Sequence, residues 1–371
     1  MHMGLCLSDP NPDLMNAGSA NRTISAVRFA GRYRLVDFML SNMVNSGIYN
    51  IGIILNSQYQ SLIGHIGMGK EWELARKSGG VTFFPPYMSD ERNSVNNEPY
   101  GPLQRAASYL ASSAADYVVL TDSAMVYNMD YRGAIRAHVD SGADVTAIYA
   151  KKRISSGKRE SYVAFDIADD GHVQGIAAAP HSSDMLNISL GAYVMQKTFF
   201  LKLIANKKNC GMLGFSREIL AGALARLNVM AYEFKGYSAQ ICSVETFFEH
   251  NMEMLDIEKR NALFDFEGRR ISTSRRDSLP TKYGKQAQII NSIVADGCQI
   301  EGTVENSVIF RNVHVRPGAV VKNCILQEKT VVEKDASLEW IISDCAVVFS
   351  EGRNMAGYRT YPVYIEKERL I

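Results

Sequence analysis

A six-residue period in the last quarter of the chain constrains the fold more than any other feature. From about residue 286, one apolar side chain recurs at nearly every sixth position, with polar and turn-forming residues between. The phased apolar residues are Val294, Ile300, Ile309, Val315, Val321, Leu326, Val332, Leu338, Ile342 and Val348. A left-handed parallel β-helix of hexapeptide repeats requires this period, because each flat side must send one side chain into the interior on every coil. A β-sandwich, the alternative, would alternate with period two.

Short apolar strands and helical segments alternate through the first two thirds of the chain. The strand-like segments are 49–56, 116–122 and 144–150, and the helical ones are 36–47 and 131–143, with Gly47 and Gly142 at helix-ending positions. This α/β pattern is typical of a Rossmann-like, mostly parallel sheet covered by helices. Because ligands of such sheets bind at the carboxyl ends of the strands, we expect functional residues just after Val119 and Leu120.

The stretch 266–285 separates these two patterns. It is polar and basic with few apolar residues, which is typical of an exposed connector. A chain of 371 residues is also longer than most chains that fold around a single hydrophobic core. We therefore predict a domain over 1–265, a linker over 266–285 and a β-helix domain over 286–371.

Charge and composition exclude several classes of partner. Lys plus Arg (40) nearly balances Asp plus Glu (39), so no overall field attracts nucleic acid or an anionic membrane. The six cysteines lack metal-binding spacing, which predicts reduced thiols and no structural metal. No apolar run reaches the roughly 20 residues of a membrane span. We expect a cytoplasmic protein.

The segment FAGRYRLVDFMLSNMVNSGI (29–48) resembles a segment of bacterial glucose-1-phosphate adenylyltransferases, also called ADP-glucose pyrophosphorylases. Further segments follow the same family in the same order: 57–74, 79–87, 126–131, 245–256 and the terminal β-helix. The resemblance implies a nucleotidyltransferase domain of GT-A-like fold. It also implies the family's reaction, in which ATP and glucose 1-phosphate give ADP-glucose and pyrophosphate for glycogen or starch synthesis, by tetramers under metabolite control.

The positions at which the family carries its metal-binding aspartates differ in this chain. Aligned on VYNMDY (126–131), the first position is Ala124, and the second, in YSAQICSVETFFEHNMEM (237–254), is Gln240. A methyl group cannot coordinate Mg²⁺, and an amide oxygen brings no negative charge. Asp122, two residues before Ala124, is the substitute that an alternative interpretation would use.

Two further family features are also altered. Ala179 stands at the position of the sugar-phosphate lysine. In place of the glycine-rich phosphate loop, the chain has LCLSDPNPDLMNAGSANR (5–22), in which acidic residues would repel phosphate and prolines remove amide donors. No catalytic position is therefore intact, no metal site is predicted, and Mg²⁺ is expected only if activity remains.

This combination resembles the GlgD-type regulatory subunits of the family, which accompany a catalytic subunit. The leading hypothesis is a catalytically impaired regulatory subunit in a hetero-oligomer with a catalytic glucose-1-phosphate adenylyltransferase. One alternative is a weakly active or altered nucleotidyltransferase that uses Asp122. Another is a sugar-nucleotide binding module without a partner, and acyl transfer by His250 or His314 would leave the N-terminal half unexplained.

Arginines cluster ahead of the helix at 36–47, and the resemblance implies that this region binds anionic effectors. The candidates are Arg22, Arg28, Arg32 and Arg34, with Arg353 and Lys367 near the end of the β-helix. A guanidinium group binds phosphate oxygens bidentately without a metal. Salt bridging within the protein is the other interpretation of these arginines.

Overall fold

The computed structural model of the protein describes residues 2–7, 22–55, 58–85, 106–154, 162–180, 185–205 and 215–371. These residues form two compact units. The described residues of the first unit lie within 2–7, 36–240 and 267–272, and those of the second within 22–35, 241–266 and 273–371. The segments 22–35 and 241–266 thus belong with the β-helix, which differs from the expected division at 265 and 286.

The regular elements up to residue 266 are as follows. The strands are β1 (His2–Leu7), β2 (Arg28–Phe29), β3 (Tyr33–Arg34), β4 (Asn50–Ile54), β5 (Gly80–Phe84), β6 (Tyr117–Asp122), β7 (Met125–Tyr127), β8 (Val145–Lys152), β9 (Val163–Ile167), β10 (Val173–Ala178), β11 (Leu186–Gln196), β12 (Val229–Glu233) and β13 (Ser238–Gln240). The longer helices are α1 (Leu35–Asn45), α2 (Gln60–Ile66), α3 (Ala107–Ser112), α4 (Arg132–Ser141), α5 (Lys197–Ala205), α6 (Val244–Glu253) and α7 (Ile257–Phe264). Short helical turns occupy Ile24–Ala26, Lys70–Trp72, Phe215–Leu220, Ala221–Ala223 and Leu224–Arg226. None of the described helices is long and apolar enough to cross a membrane.

A nine-stranded sheet forms the centre of the first unit. Its main order is β10-β9-β11-β6-β1-β4-β5, and β8 pairs with both β11 and β12. β1 runs parallel to β4 and β6, as expected, and β4 runs parallel to β5. Beyond β6 the sheet changes direction, because β11 is antiparallel to β6 and to β8. The predicted strands at 49–56, 116–122 and 144–150 are confirmed as β4, β6 and β8.

The apolar runs of the central strands are buried on both faces of this sheet. Met3, Leu5, Val118 and Leu120 are fully buried on one face, in one core cluster, and the intervening residues Cys6, Val119 and Thr121 are fully buried on the other. Burial on both faces explains why these strands read as continuous apolar runs in the sequence. The predicted helices are confirmed as α1 and α4, and Gly47 and Gly142 follow them with positive φ angles of 79° and 61°.

A left-handed parallel β-helix forms most of the second unit. Its strands are β14 (Lys282–Tyr283), β15 (Gln288–Ile290), β16 (Ile293–Val294), β17 (Gln299–Ile300), β18 (Thr303–Glu305), β19 (Val308–Ile309), β20 (His314–Val315), β21 (Val320–Lys322), β22 (Ile325–Leu326), β23 (Val331–Val332), β24 (Ser337–Glu339), β25 (Ile341–Ser343), β26 (Val348–Phe349), β27 (Asn354–Ala356) and β28 (Val363–Ile365). They stack into three five-stranded parallel sheets. The first coil begins at Lys282, a few residues before the predicted start at 286.

The six-residue period corresponds to columns of buried side chains inside this β-helix, except that Ser343 and Phe349, and not the predicted Ile342 and Val348, continue the columns of Leu326 and Val332. In one column, Val304 pairs in register with Val321, which pairs with Leu338, and all three are fully buried. One corner repeats a left-handed backbone conformation, with positive φ at Asn291, Asn306 and Asn323. Asparagine tolerates this conformation better than most residues, so the corner is encoded by residue type as well as by period.

The inner column predicts a sharp contrast between neighbouring residues of β24. Leu338→Ala should lower the free energy of unfolding by about 2 to 5 kcal/mol, because it removes buried methyl groups and leaves a cavity. Glu339→Ala, on the exposed face of the same strand, should change it by less than about 0.5 kcal/mol. Urea unfolding followed by circular dichroism measures both variants. Equal losses would contradict the assignment of Leu338 to the interior.

Candidate functional site

The carboxyl ends of β1 and β6 lie side by side in the first unit. Leu7, the last residue of β1, is in register with Asp122, the last residue of β6. The half-buried Asp122 accepts a hydrogen bond from the backbone N–H of Ala124 at 2.8 Å. This local bond holds the turn after β6 in the manner of an Asx turn.

The backbone of β11 passes unusually close to Asp122. Gly191 has a φ of +60°, and a Cβ atom built there would lie 2.7 Å from the Cβ of Asp122. The register between β11 and β8 also shifts between Ser189 and Ala192. Glycine is therefore required at position 191, both for its backbone conformation and for the space that Asp122 takes.

The pairing of β7 with β13 brings near each other the two positions, 124 and 240, that the sequence predicts to correspond to the family's metal ligands. Gln240 lies opposite Met125 in this antiparallel pair, and Ala124 directly precedes Met125 in the chain. Ala124 presents a buried methyl group and Gln240 a half-buried amide. Within the described part of the chain, no group of three or more His, Cys, Asp or Glu side chains could hold a metal ion.

Helix α1 fixes the segment that follows β7. The side-chain nitrogen of Asn42 donates to the carbonyl of Tyr127 at 2.9 Å, and its oxygen accepts from the N–H of Met129 at 3.0 Å. Ser46 accepts from the N–H of Tyr131 at 2.7 Å. Since these groups are buried, the VYNMDY segment is held in place without any ligand.

Ala179 lies in a different part of the same sheet. It directly follows β10, which β9 and β11 separate from β6, and its N–H donates to the carbonyl of Tyr162 at 2.9 Å. Its side chain is buried, so the position predicted to correspond to the family's sugar-phosphate lysine presents a methyl group. Most of the predicted loop 5–22, including its acidic residues and prolines, lies outside the described residues.

A short hairpin carries the arginines of the second unit. The β2 and β3 strands pair so that Arg28 lies opposite Arg34, and Gly31 forms the turn with a φ of 81°. Before the hairpin, the side chain of Thr23 caps a helical turn by accepting from the N–H of Ser25 at 3.2 Å. Arg22 directly precedes this cap.

Arg22 and Arg28 point to one corner of the β-helix. Arg22 Nη2 donates to both carboxylate oxygens of Asp344, at 2.8 and 3.1 Å. Arg28 Nη2 donates to Glu328 at 2.7 Å, and both guanidinium groups lie within 3.5 Å of the side-chain oxygen of Gln327. A third arginine that the sequence did not single out, Arg276, donates to the other oxygen of Glu328 at 2.5 Å.

The remaining predicted effector residues lie elsewhere in the second unit. Arg32 is exposed in the hairpin turn, with its guanidinium 5.7 Å from the ring centre of Tyr33, whereas Arg34 is buried. Lys367 pairs with its exposed neighbour Glu368 at 2.7 Å, and Arg353 is exposed just before β27. The structure therefore joins Arg22 and Arg28 with Arg276, and the full predicted set does not converge on one carboxylate.

Burial and ion pairing have opposite effects on the pKa values of the charged groups at this corner. Burial disfavours ionisation of Glu328, but Arg28 and Arg276, with a smaller effect from Lys329, outweigh it and lower the pKa of its carboxyl. Burial likewise opposes the charge of Arg22, but Asp344 outweighs it and raises the pKa of Arg22. The sequence analysis did not identify these carboxylates, of which Glu328 lies two residues after β22 and Asp344 directly after β25.

The chain was compared with known proteins. Residues 19–257 match the family described as Nucleotidyl transferase, and residues 279–358 match the family described as GlmU-like, C-terminal hexapeptide. The chain belongs to the nucleotidyl transferase family.

Individual proteins similar to the chain narrow the family further. It is 34% identical to the glycogen biosynthesis protein GlgD of Bacillus subtilis (strain 168), over 94% of this chain and 91% of that protein. It is 34% identical to GlgD of Geobacillus stearothermophilus, over 81% of this chain and 77% of that protein. It is 29% identical to the glucose-1-phosphate adenylyltransferase of Clostridium perfringens (strain 13 / Type A), over 83% and 78%. The predicted resemblance to the glucose-1-phosphate adenylyltransferase family and its GlgD proteins is thus confirmed.

The ion pairs of Glu328 predict a pH-dependent loss of stability. Because its folded-state pKa lies below the ordinary value of 4.5, its contribution is complete above that value and is lost as the pH falls through the lower folded value. Glu328→Gln should cost roughly 2 kcal/mol near neutral pH. The difference in Tm between wild type and variant should then shrink in acid. Thermal unfolding between about pH 7 and pH 3 measures it.

A control variant is available in the same β-helix. Glu301→Gln removes an exposed pair in which the atoms of Glu301 and Arg316 are 3.9 Å apart. Exposed pairs of this kind contribute little, so its Tm should follow the wild type at every pH. If the difference in Tm between the wild type and Glu328→Gln stays constant as the pH falls, the arginines do not stabilise the ionised form of Glu328.

Proposed function

We propose that the protein is a regulatory, catalytically impaired subunit of glucose-1-phosphate adenylyltransferase in glycogen biosynthesis. In this role it acts with a catalytic subunit that converts ATP and glucose 1-phosphate to ADP-glucose and pyrophosphate. The observation that carries the proposal is the pairing of β7 with β13, which sets Gln240 opposite Met125, the residue after Ala124, so that neither of these two neighbouring positions offers a carboxylate. The names of its relatives, glycogen biosynthesis protein GlgD and glucose-1-phosphate adenylyltransferase, support the pathway and the partner.

The chemistry of the reaction supports impaired catalysis. Nucleotidyl transfer depends on a divalent cation that holds the phosphates and neutralises the charge developing on them. Mg²⁺ takes oxygen ligands at about 2.0 to 2.1 Å and favours anionic ones. Neither Ala124 nor Gln240 supplies a charge, and one oxygen of the nearby Asp122 accepts the N–H of Ala124. The position of Ala179 adds no cation for a sugar phosphate.

The first coil of the β-helix supports association with another subunit. Tyr283 and Ile289 occupy columns that are fully buried in the middle coils, yet they are 53% and 37% exposed. Their neighbour Ile290 is 51% exposed. Three parallel edge strands, β14, β15 and β16, border these side chains. A coil of the same triangular section, contributed by the β-helix of the catalytic subunit, would cover both the apolar side chains and the strand edges.

A second candidate function is weak or altered nucleotidyl transfer by this chain alone. One observation favours it: Asp122 lies at the carboxyl end of β6, beside the end of β1, where ligands of such sheets bind. A third candidate, a sugar-nucleotide binding module, would assemble without a catalytic homologue and leave such an enzyme unaffected.

Rates of ADP-glucose formation separate these functions. The protein alone, with ATP, glucose 1-phosphate and Mg²⁺, should turn over at least about 100-fold more slowly than a catalytic homologue from the same cell. Mixed with that homologue, it should co-elute in size exclusion and change the rate or the effector response by about 5-fold or more. Turnover by the protein alone that Asp122→Asn abolishes would establish the second candidate. An unchanged rate in the mixture would favour the third.

Restoring the two carboxylates should restore a cation site. Mn²⁺ serves as a probe for the Ala124→Asp and Gln240→Asp double variant, which should bind it with a dissociation constant on the order of 0.1 to 1 mM. The wild type should bind it much more weakly. Electron paramagnetic resonance of free Mn²⁺ measures both proteins.

A matched control carries the same changes elsewhere in the first unit. Ala111→Asp with Gln174→Asp adds two carboxylates at exposed positions of α3 and β10. This control should bind Mn²⁺ no better than the wild type. Equal binding by the two double variants would mean that positions 124 and 240 do not form a site.

A further inference from the structure

A cavity in the first unit lies away from the strand end that carries Asp122. Its volume is about 520 Å³, and the residues that line it are His2, Asp130, Arg132, Ile135 and Arg136. His2 begins β1 and is in register with Tyr117, the first residue of β6, whereas Asp122 ends β6. The strand between Tyr117 and Asp122 spans roughly 16 Å. The cavity is therefore distinct from the site at the carboxyl ends of these strands.

Two arginines of α4 line this cavity. Arg132 and Arg136 are four residues apart, so they lie on the same face of the helix. Both are exposed. Like charges at this spacing repel each other and destabilise a helix, and an anion bound between them offsets that repulsion. The pair thus favours an anion in the cavity.

The carboxylate of the cavity is engaged by Arg132. Asp130 accepts the backbone N–H, the Nε–H and an Nη2–H of this arginine, at 2.9, 3.0 and 2.5 Å. Burial raises the pKa of Asp130, but its hydrogen bonds with Arg132 outweigh this effect and lower the pKa. None of the contacts with Asp130 involves Nη1 of Arg132, whose two N–H groups remain for another acceptor.

Arg136 has no carboxylate partner among the residues that the structure describes. Its Nε donates to the backbone carbonyl of Arg132 at 3.4 Å. Within the same described part of the chain, its Nη1 and Nη2 groups form no hydrogen bond. A guanidinium group carries five N–H donors, so four of those of Arg136 remain for a ligand.

The arginine corner, where Arg22 and Arg28 contact Asp344 and Glu328, is different in this respect. There both guanidinium groups are already bound by carboxylates. The cavity has two guanidinium groups and one carboxylate, and it therefore keeps about one positive charge. Only the cavity combines an enclosed volume with unused guanidinium donors such as those of Arg136.

We propose that this cavity binds a small phosphate monoester such as a sugar phosphate. The Nη groups of Arg136 and Nη1 of Arg132 donate to the phosphate oxygens, which a guanidinium fork binds in pairs. A phosphate monoester carries between one and a half and two negative charges at neutral pH, roughly, which suits two arginines better than a single carboxylate charge does. Ile135 offers an apolar surface to the carbon skeleton of the ligand.

The size of the cavity also suits this class of ligand. Small-molecule sites usually enclose about 300 to 1,000 Å³, a range that includes this cavity. The inference goes beyond the proposed function, because it assigns a ligand site to the first unit away from positions 124 and 240.

Isothermal titration of the full chain with ribose 5-phosphate tests the site. At constant ionic strength, Arg136→Gln should bind it about 10-fold or more weakly than the wild type, because the variant loses charge-assisted hydrogen bonds to the phosphate. Arg136→Lys keeps the charge without the fork, and its affinity should lie between those of the other two proteins. Since Arg136 is exposed, both variants should fold, which circular dichroism checks.

Arg226→Gln is the matched control. Arg226 is an exposed arginine of the same unit that does not line the cavity. Its removal should leave the affinity within about 2-fold of the wild type, because exposed charges at a distance are screened by salt. Failure of the wild type to bind ribose 5-phosphate would overturn the proposal, as would equal affinities of the wild type and Arg136→Gln.

Asp130→Asn gives an independent test with the opposite sign. Asparagine keeps an oxygen for the backbone N–H of Arg132 but removes the negative charge that competes with the ligand. This variant should bind ribose 5-phosphate about 3-fold or more tightly than the wild type. An unchanged or weaker affinity would mean that Arg132 does not contact the ligand, which would overturn the two-arginine site.

Related compounds identify the part of the ligand that is bound. Ribose should show no binding, and ribonate, which has a carboxylate and no phosphate, should bind about 10-fold or more weakly than ribose 5-phosphate. Inorganic phosphate should also bind more weakly, since it has no carbon skeleton to contact Ile135. Equal binding of ribonate or of inorganic phosphate would overturn the assignment to a phosphate monoester. These titrations need no catalytic subunit, so their outcome is independent of the mixing experiment.

Discussion

Each coil of the β-helix has to send apolar side chains from its three sides into a narrow interior, and this requirement fixes its register. The columns Val304–Val321–Leu338 and Ile300–Val315–Val332 run through successive coils without a shift. Residues at one corner must then stack on each other. Glu328 and Asp344 are neighbours for this reason, although neither is part of an apolar column. Two acids held side by side and shielded from water need cations, and Arg22 and Arg28 supply them.

The features that sequence could predict are those with a local pattern. The hexapeptide pattern repeats every few residues, and turn-forming residues delimit the β6 strand and the α1 helix. Each of these features can therefore be recognised from neighbouring residues alone. No local pattern shows that β11 is antiparallel to its neighbours, because its pairing with β6 and β8 depends on how the whole sheet packs. The ion pair between Arg22 and Asp344 joins residues 322 positions apart, and no periodicity links them. The sequence analysis therefore identified Arg22 and Arg28 but missed Arg276 and the carboxylates that they contact.

The turn after β6 and the segment that follows it are held by bonds that need no carboxylate at position 124. The turn after β6 is held by the Asp122 carboxylate and the backbone N–H of Ala124, which any residue at position 124 would offer. The next segment is held by Asn42 and Ser46 on α1. None of these bonds involves a side chain at 124 or 240. The turn after β6 is therefore compatible with alanine at position 124.

Both sites share one electrostatic property. A site that binds a charged ligand must keep charge that the folded protein leaves uncompensated, because only then does the ligand gain more than it loses in hydration. At positions 124 and 240 the anions that would attract a metal are missing, and at the arginine corner the cations already have anions. Under the proposed function, the chain acts through contact with another subunit, and the exposed apolar side chains of its first coil are available for such a contact.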